Sequence, residues 1–286
     1  MLYSQIQKNK RKTAILFFII FLLFSIIGGS VSYLSTNNWV IGVIGVNIAG
    51  FITILFMLHR STASIMKSAQ ATYVTESSAP QLYHLVEDMA MVAQIPRPDI
   101  YIIDTPEINA FATGLKPENS SIAVTKGILQ KLNREELEGV IGHEMTHIAN
   151  HDCRTMTIIM ALGAVISTIT SIIFTSSSDD TDSDDAAAGI IMFIIALIFV
   201  LLSNTIMFFM QMAISRSQEY SADAGSVKLT RNPQGLINAL QKIENEPPMP
   251  IQNKNLAALY FGPVDTSNWS STHPSTEKRI TALKKL

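Results

Sequence analysis

The chain carries one cysteine, Cys153, so an intrachain disulfide is excluded and a reducing compartment suits it. Charge is also scarce. Only 15% of the 286 residues are Asp, Glu, Lys or Arg, where a soluble domain carries about 25%. The net charge of −2 supplies no basic field, so no nucleic-acid partner is expected. No internal repeat is visible. What the chain has in place of charge is apolar surface: 48% of its residues are hydrophobic, and its mean hydropathy is +0.27.

That surface is concentrated in four runs near the roughly 20 apolar residues a bilayer crossing needs. They are Ala14–Leu34, Trp39–Leu58, Thr155–Phe174 and Ala186–Met212. The first two are joined by the short turn STNN and predict a helical hairpin. The third is rich in Ser and Thr and also reads as a buried helix of a soluble domain. The first, preceded by basic residues and followed by SVS at 30–32, also fits a signal peptide. Lys8, Lys10, Arg11 and Lys12 precede the first run, Arg60 and Lys67 follow the second, Arg154 precedes the third and Arg216 follows the fourth. The loop TSSSDDTDSDDAAAG between the third and fourth has five aspartates and no Lys or Arg. Basic residues mark the cytoplasmic side, so four spans with both termini inside and the acidic loop outside form one consistent topology.

The expected organisation is a transmembrane hairpin over 14–58, a first cytoplasmic part over 59–154, a second hairpin over 155–212 and a second cytoplasmic part over 213–286. The two cytoplasmic parts together have the size of one domain. Within the first, PQLYHLVEDMAMVAQ from Pro80 places Leu82, Leu85, Val86, Met89 and Val92 at helical spacing. DIYIID (99–104), INAFATG (108–114) and SSIAVTKG (120–127) read as strands, the last two flanking the turn KPEN. Asn133 followed by Glu136 resembles a capping box opening a helix with Leu137, Val140, Ile141, Met145 and Ile148 on its apolar side.

Inside that helix lies HEMTH. Residues i and i+4 share a helix face, so His143 and His147 can aim two imidazoles at one cation. Glu144, rotated about 100° from His143, can border the site as a general base without ligating. A catalytic zinc needs a third protein ligand, and three residues present themselves. His151 continues the ladder, but 143, 147 and 151 on one straight helix spread over about 12 Å, too far for one ion. Cys153 stands where the metzincin pattern wants histidine, and reads better as a small packed residue. Glu219, in RSQEYSADAGS beyond the fourth run, offers a carboxylate from a second helix. Asp223, one turn on, can hold a ligand histidine in its tautomer.

HEMTHIANHD, EYSAD and the upstream NAFATG together resemble the HtpX-type membrane zinc metallopeptidases, gluzincins related to the CAAX prenyl endopeptidases. The resemblance covers nearly the whole chain and ends in a Ser/Thr-x-His-Pro segment, STHPSTEKRI, where Ser275 replaces the family's second proline. It implies an α-helical membrane protein with four transmembrane helices and a cytoplasmic α+β zincin domain. It implies one Zn²⁺ held by His143, His147 and Glu219, with Glu144 as catalytic base and Asp223 behind a ligand. It implies that Asn109, Ala110, Phe111, Ala112, Thr113 and Gly114 form the edge that pairs with substrate backbone, and that His273 and Arg279 stabilise the oxyanion. The implied role is a quality-control endopeptidase of the bacterial cytoplasmic membrane, its substrates misfolded membrane proteins and its partners the bilayer and other quality-control proteases. A continuous helix from HEMTH into the third run would put the zinc just above the membrane surface, His147 lying about 12 Å from that run. The alternatives are a prenyl-protein endopeptidase and a non-catalytic membrane scaffold. His59 and His84 read as surface residues, and the sequons NSS and NWS carry no meaning on a cytoplasmic face.

Overall fold

The computed structural model describes residues 2–158, 194, 197–198, 200–201, 205, 218–251, 253–265 and 274–286. Its chain forms two compact units. One comprises 1–9, 60–157 and 211–286, the other 10–59 and 158–210.

The second unit holds most of α1 (Leu2–Thr36) and of α2 (Trp39–Ser68), joined by a turn in which Asn37 adopts a left-handed φ of 56°. The two helices cross where both are glycine. A Cβ on Gly28 or Gly42 would collide with the other's backbone, so the pair sets how closely the helices approach. Asn47 donates to Ser25 Oγ at 2.8 Å across the same seam. Small residues and interhelical hydrogen bonds are how helices associate where apolar burial offers no drive. Phe18, Ile41 and Ile52 are exposed. Trp39–Phe56, with mean hydropathy 2.2, is the one helix among the described residues long and apolar enough to cross a bilayer; Phe17–Ser30 of α1 is a shorter apolar stretch. The third and fourth expected spans fall almost wholly outside the described residues.

The other unit is built on a four-stranded sheet. Its strands are β1 (Ala71–Tyr73), β2 (Asp99–Ile103), β3 (Ala110–Gly114) and β4 (Ser120–Thr125), in the order β1-β2-β4-β3. Only β2 and β4 run parallel. The expected strands are all present, while β1 went unread because three residues give too little alternation to detect. KPEN is a turn of 3-10 helix, Pro117–Asn119. Thr125 Oγ1 accepts from Ile128 N and caps α4 (Lys126–Lys131), which ends the last strand.

Two helices flank the core: α3 (Pro80–Ala93), and α5 (Arg134–Ala149), which carries HEMTH. The capping box is made: Glu136 N donates to Asn133 Oδ1 at 2.9 Å, and Asn133 N to Glu136 Oε2 at 2.8 Å. The same Glu136 receives Lys242 Nζ at 2.7 Å from α8 (Pro233–Glu244). Val140, Ile141, Met145 and Ile148 are buried against Leu236 and Leu240 of α8 and Ile122 of the sheet. Each such side chain contributes about 1.5–3 kcal/mol, which fixes the rotation of α5 about its axis. Gly139 to Thr146 are buried without interruption. A helix buried all round is ordinarily apolar, yet this one carries His143 and Glu144 into the core.

The helix does not run on. Asn150 caps α5, and His151 turns the chain with a φ of 58° before α6 (152–158 within the described residues) begins. The expected unbroken helix from HEMTH into the third span is therefore corrected. α7 (218–230 within the described residues) crosses α5 at small residues. Ser226 Oγ donates to Gly139 O at 2.6 Å, and a Cβ on Gly225 would collide with the Thr146 side chain. After α8, the strands β5 (Met249–Pro250) and β6 (Val264–Asp265) pair in parallel, and α9 (Thr276–Leu283) packs on α8.

Candidate metal centre

The close crossing of α5 and α7 brings His143, His147 and Glu219 together, with one ligand atom from each lying within 4.8 Å of the others. The two Nε2 atoms are 3.0 Å apart. Glu219 Oε1 lies 3.4 Å from His147 Nε2, and Oε2 3.7 Å from His143 Nε2. Donors about 2.0–2.1 Å from a tetrahedral ion stand roughly 3.3 Å apart, so the spacing fits a single small cation. The tautomers point the same way. His143 Nδ1 is 3.0 Å from Asp223 Oδ1, and His147 Nδ1 is 3.0 Å from Asp152 Oδ2. With both Nδ1–H groups donated to carboxylates, the two Nε2 lone pairs face each other, an arrangement a positive charge between them stabilises.

Charge agrees with geometry. Glu144, Asp152, Glu219 and Asp223 are all buried here, with Arg279 among them. Burial lowers the His143 pKa to about 4 despite its bond to Asp223. Burial also opposes protonation of His147, but its bonds to the carboxylates of Asp152 and Glu219 outweigh that and raise its pKa. The buried carboxylates outnumber the one guanidinium, and the raised pKa of His147 reflects the same preference for positive charge at this point.

Glu144 is 2% exposed, and burial raises its pKa to about 7, with the charge of Glu219 adding to the rise. His147, Arg279 and a hydrogen bond from the Ala112 backbone pull the other way. A carboxylate titrating near neutrality beside a cation site suits a general base. With Ala112, the three ligand residues, Leu259 and Phe261, it lines a cavity of about 40 Å³, room for a water molecule.

The structure narrows two expectations. The first concerns the substrate edge. Thr125 N donates to Asn109 O, so by alternation Phe111 and Thr113 turn their backbone groups to β4, while Ala110, Ala112 and Gly114 turn theirs outward. The Ala110 carbonyl already accepts from Phe261 N at 2.8 Å, and Asn109 precedes the strand. The Asn109 side chain is spent on Gly262, accepting from its N–H at 2.8 Å and donating to its carbonyl at 3.3 Å. Gly114 N donates to Thr157 Oγ1. Of the expected edge, Ala112 is the residue that opens into the cavity.

The second is Arg279, expected at the oxyanion. All three of its guanidinium nitrogens face carboxylates. Nε donates to Asp223 Oδ2 at 2.9 Å, Nη2 to Asp223 Oδ1 at 2.6 Å, and Nη1 lies 3.2 Å from Glu219 Oε2. The residue is 2% exposed and stacks 4.7 Å over the Phe261 ring. It is the counter-ion that lets Asp223 and Glu219 be buried together. His273 lies outside the described residues. Cys153 also borders the cavity, but its thiol is buried and its pKa raised, a poor ligand, while His151 lines a different pocket. Sequence reasoning missed Asp152, Gln218 and Phe261. The turn at His151 brings Asp152 to the site, and Gln218 arrives with its neighbour Glu219 on α7.

A family model described as Peptidase family M48 matches residues 76–286. A Streptococcus pyogenes serotype M28 protein (strain MGAS6180) named protease HtpX homolog is 47% identical over the full length of both chains. One of the same name from serotype M49 (strain NZ131) is 46% identical, again over both whole chains. Among solved structures, S. mikatae Ste24p superposes with a TM-score of 0.54 at 22% identity, covering 98% of this chain and 67% of that one.

Proposed function

The chain belongs to peptidase family M48 and is a metallopeptidase; from that premise we propose that it is a zinc-dependent endopeptidase acting on misfolded or damaged membrane proteins at the cytoplasmic face of a bacterial membrane. The observation that carries the reading is the trio His143, His147 and Glu219 at tetrahedral spacing with Glu144 beside it. Two imidazoles and a carboxylate with room for one water are the donor set of a catalytic zinc site. Zinc held there supplies Lewis acidity to activate a water and polarise the scissile carbonyl. Glu144 takes the proton from the attacking water and returns it to the leaving nitrogen. Asp223, 3.0 Å from His143 Nδ1, keeps the His143 Nε2 atom unprotonated and aimed inward. The substrate backbone approaches along the outward face of β3 at Ala112, beside the Glu144 carboxylate.

The membrane assignment is supported by the exposed apolar helix Trp39–Phe56. The cytoplasmic orientation is supported by the basic residues flanking the four apolar runs and the aspartate-rich loop opposite them. The substrate class is tested with the full chain in proteoliposomes with zinc, offered an unfolded membrane protein, casein and a prenylated CAAX peptide. Faster cleavage of the unfolded membrane protein is the expected result. Preferential cleavage of the prenylated peptide would replace this reading with the prenyl-endopeptidase one.

A further inference from the structure

We propose that Asp152, held by Gln218, is a positioning residue for the metal centre: it fixes the tautomer and aim of His147 and ties the second ligand to the third. The inference rests on reading His143, His147 and Glu219 as metal ligands. It starts from the break after α5. In an unbroken helix, the residue five beyond His147 would be rotated about 140° away from it and could not reach the imidazole. Here His151, at a φ of 58°, turns the chain back. Non-glycine residues adopt that conformation uncommonly, histidine more readily than most. The result is that Asp152 Oδ2 sits 3.0 Å from His147 Nδ1.

The other oxygen of Asp152 accepts from Gln218 Nε2 at 2.8 Å. Both residues are buried. Gln218 is the chain neighbour of Glu219, so His147, Asp152, Gln218 and Glu219 form one connected path between α5 and α7. His147 needs such a hold more than His143 does. The His143 side chain is 1% exposed and packed edge-on to Phe261, while that of His147 is 14% exposed. Phe261 and the Asp223 carboxylate together hold the first ring, while the more open second ring depends more on its bond to Asp152.

The chemistry is that of a carboxylate–histidine–metal triad. Asp152 can only accept, so it keeps the proton on Nδ1 and the lone pair on Nε2. An asparagine of the same shape can donate its own N–H to Nδ1. That places the imidazole proton on Nε2, facing the ion, where it must be lost before the metal binds.

The experiment uses the full chain in detergent, stripped of metal and titrated with zinc against a chromophoric chelator at fixed pH. Melting of the metal-free protein is followed in parallel. Asp152→Asn is expected to weaken zinc binding by about 10- to 100-fold while leaving metal-free melting near that of the wild type. Asp152→Glu, which restores the carboxylate, should recover part of the loss, and Gln218→Leu should weaken binding to a smaller extent. With saturating zinc, Asp152→Asn should regain most of its peptide hydrolysis, because Glu144 is untouched. Zinc affinity in Asp152→Asn within about twofold of wild type, with the fold intact, overturns the proposal. If Asp152→Asn does not fold, Gln218→Leu decides: weakened zinc binding supports the tether, and unchanged binding overturns it. A wild type that holds zinc no better than His143→Ala would overturn the metal reading itself, a result distinct from any failure confined to Asp152 and Gln218.

Discussion

Glu144→Gln should bind zinc as the wild type does and lose about 10²- to 10⁴-fold in kcat/KM for peptide hydrolysis. The glutamine keeps the shape and the Ala112 hydrogen bond but cannot accept the proton of the attacking water. The size of the loss corresponds to roughly 3–5 kcal/mol of transition-state stabilisation. The same carboxylate sets the pH profile. Burial raises its pKa from the ordinary 4.5 to about 7, and a divalent cation at the adjacent ligands pulls it back down. Only the ionised form accepts a proton, so kcat/KM falls about tenfold per pH unit below the Glu144 pKa and levels off above it. The acid limb should therefore lie between 4.5 and about 7. A pH–rate series on a fluorogenic peptide, together with the variant's activity and zinc content, checks both parts. Full hydrolysis by the variant, or an acid limb unchanged in its residual activity, would remove Glu144 from the base role.

Arg279→Leu should cost about 3–5 kcal/mol of stability, since removing one partner leaves buried carboxylates without their counter-charge. Here two are stranded, Asp223 and Glu219, both within reach of the lost guanidinium. Zinc neutralises Glu219 from its other side, so the fall in melting temperature should be larger for the metal-free protein than for the zinc-loaded one. Arg279→Lys restores the charge but not the planar fork that grips both oxygens of Asp223, and should fall between wild type and leucine. Thermal unfolding of the three proteins with and without zinc provides the measurement. Equal melting of wild type and Arg279→Leu without metal would show that the guanidinium is not the counter-ion of the site.

These two residues mark where the sequence was and was not legible. HEMTH was readable because helical periodicity puts His143 and His147 on one face whatever surrounds them, and EYSAD because Glu219 and Asp223 obey the same spacing. Asn133 and Glu136 announced the helix start through a local hydrogen-bonding pattern. Arg279 was legible only as a residue near the site. Its duty depends on α9 delivering it between Asp223 and Glu219, a contact across 56 residues of chain that no local pattern encodes. Asp152 was hidden for a different reason. The chain turns at a histidine rather than at a glycine, so NHD gives only a weak signal that the helix ends there. The pairing of Phe261 with Ala110, and of Gly262 with Asn109, along the expected substrate edge is equally non-local. The packing of α7 on α5 at Gly225 depends on absence of a side chain, which in sequence is indistinguishable from a helix-weakening residue.

The proposed chemistry rests on three side chains sharing one metal ion. It is tested most directly by counting zinc in the purified full chain and in Glu219→Ala by atomic emission, with peptide hydrolysis measured on the same samples. One zinc per chain in the wild type, with zinc and hydrolysis lost together in Glu219→Ala, is the predicted result. A zinc-free wild type that hydrolyses peptides, or a Glu219→Ala protein that keeps its zinc and its activity, would contradict it.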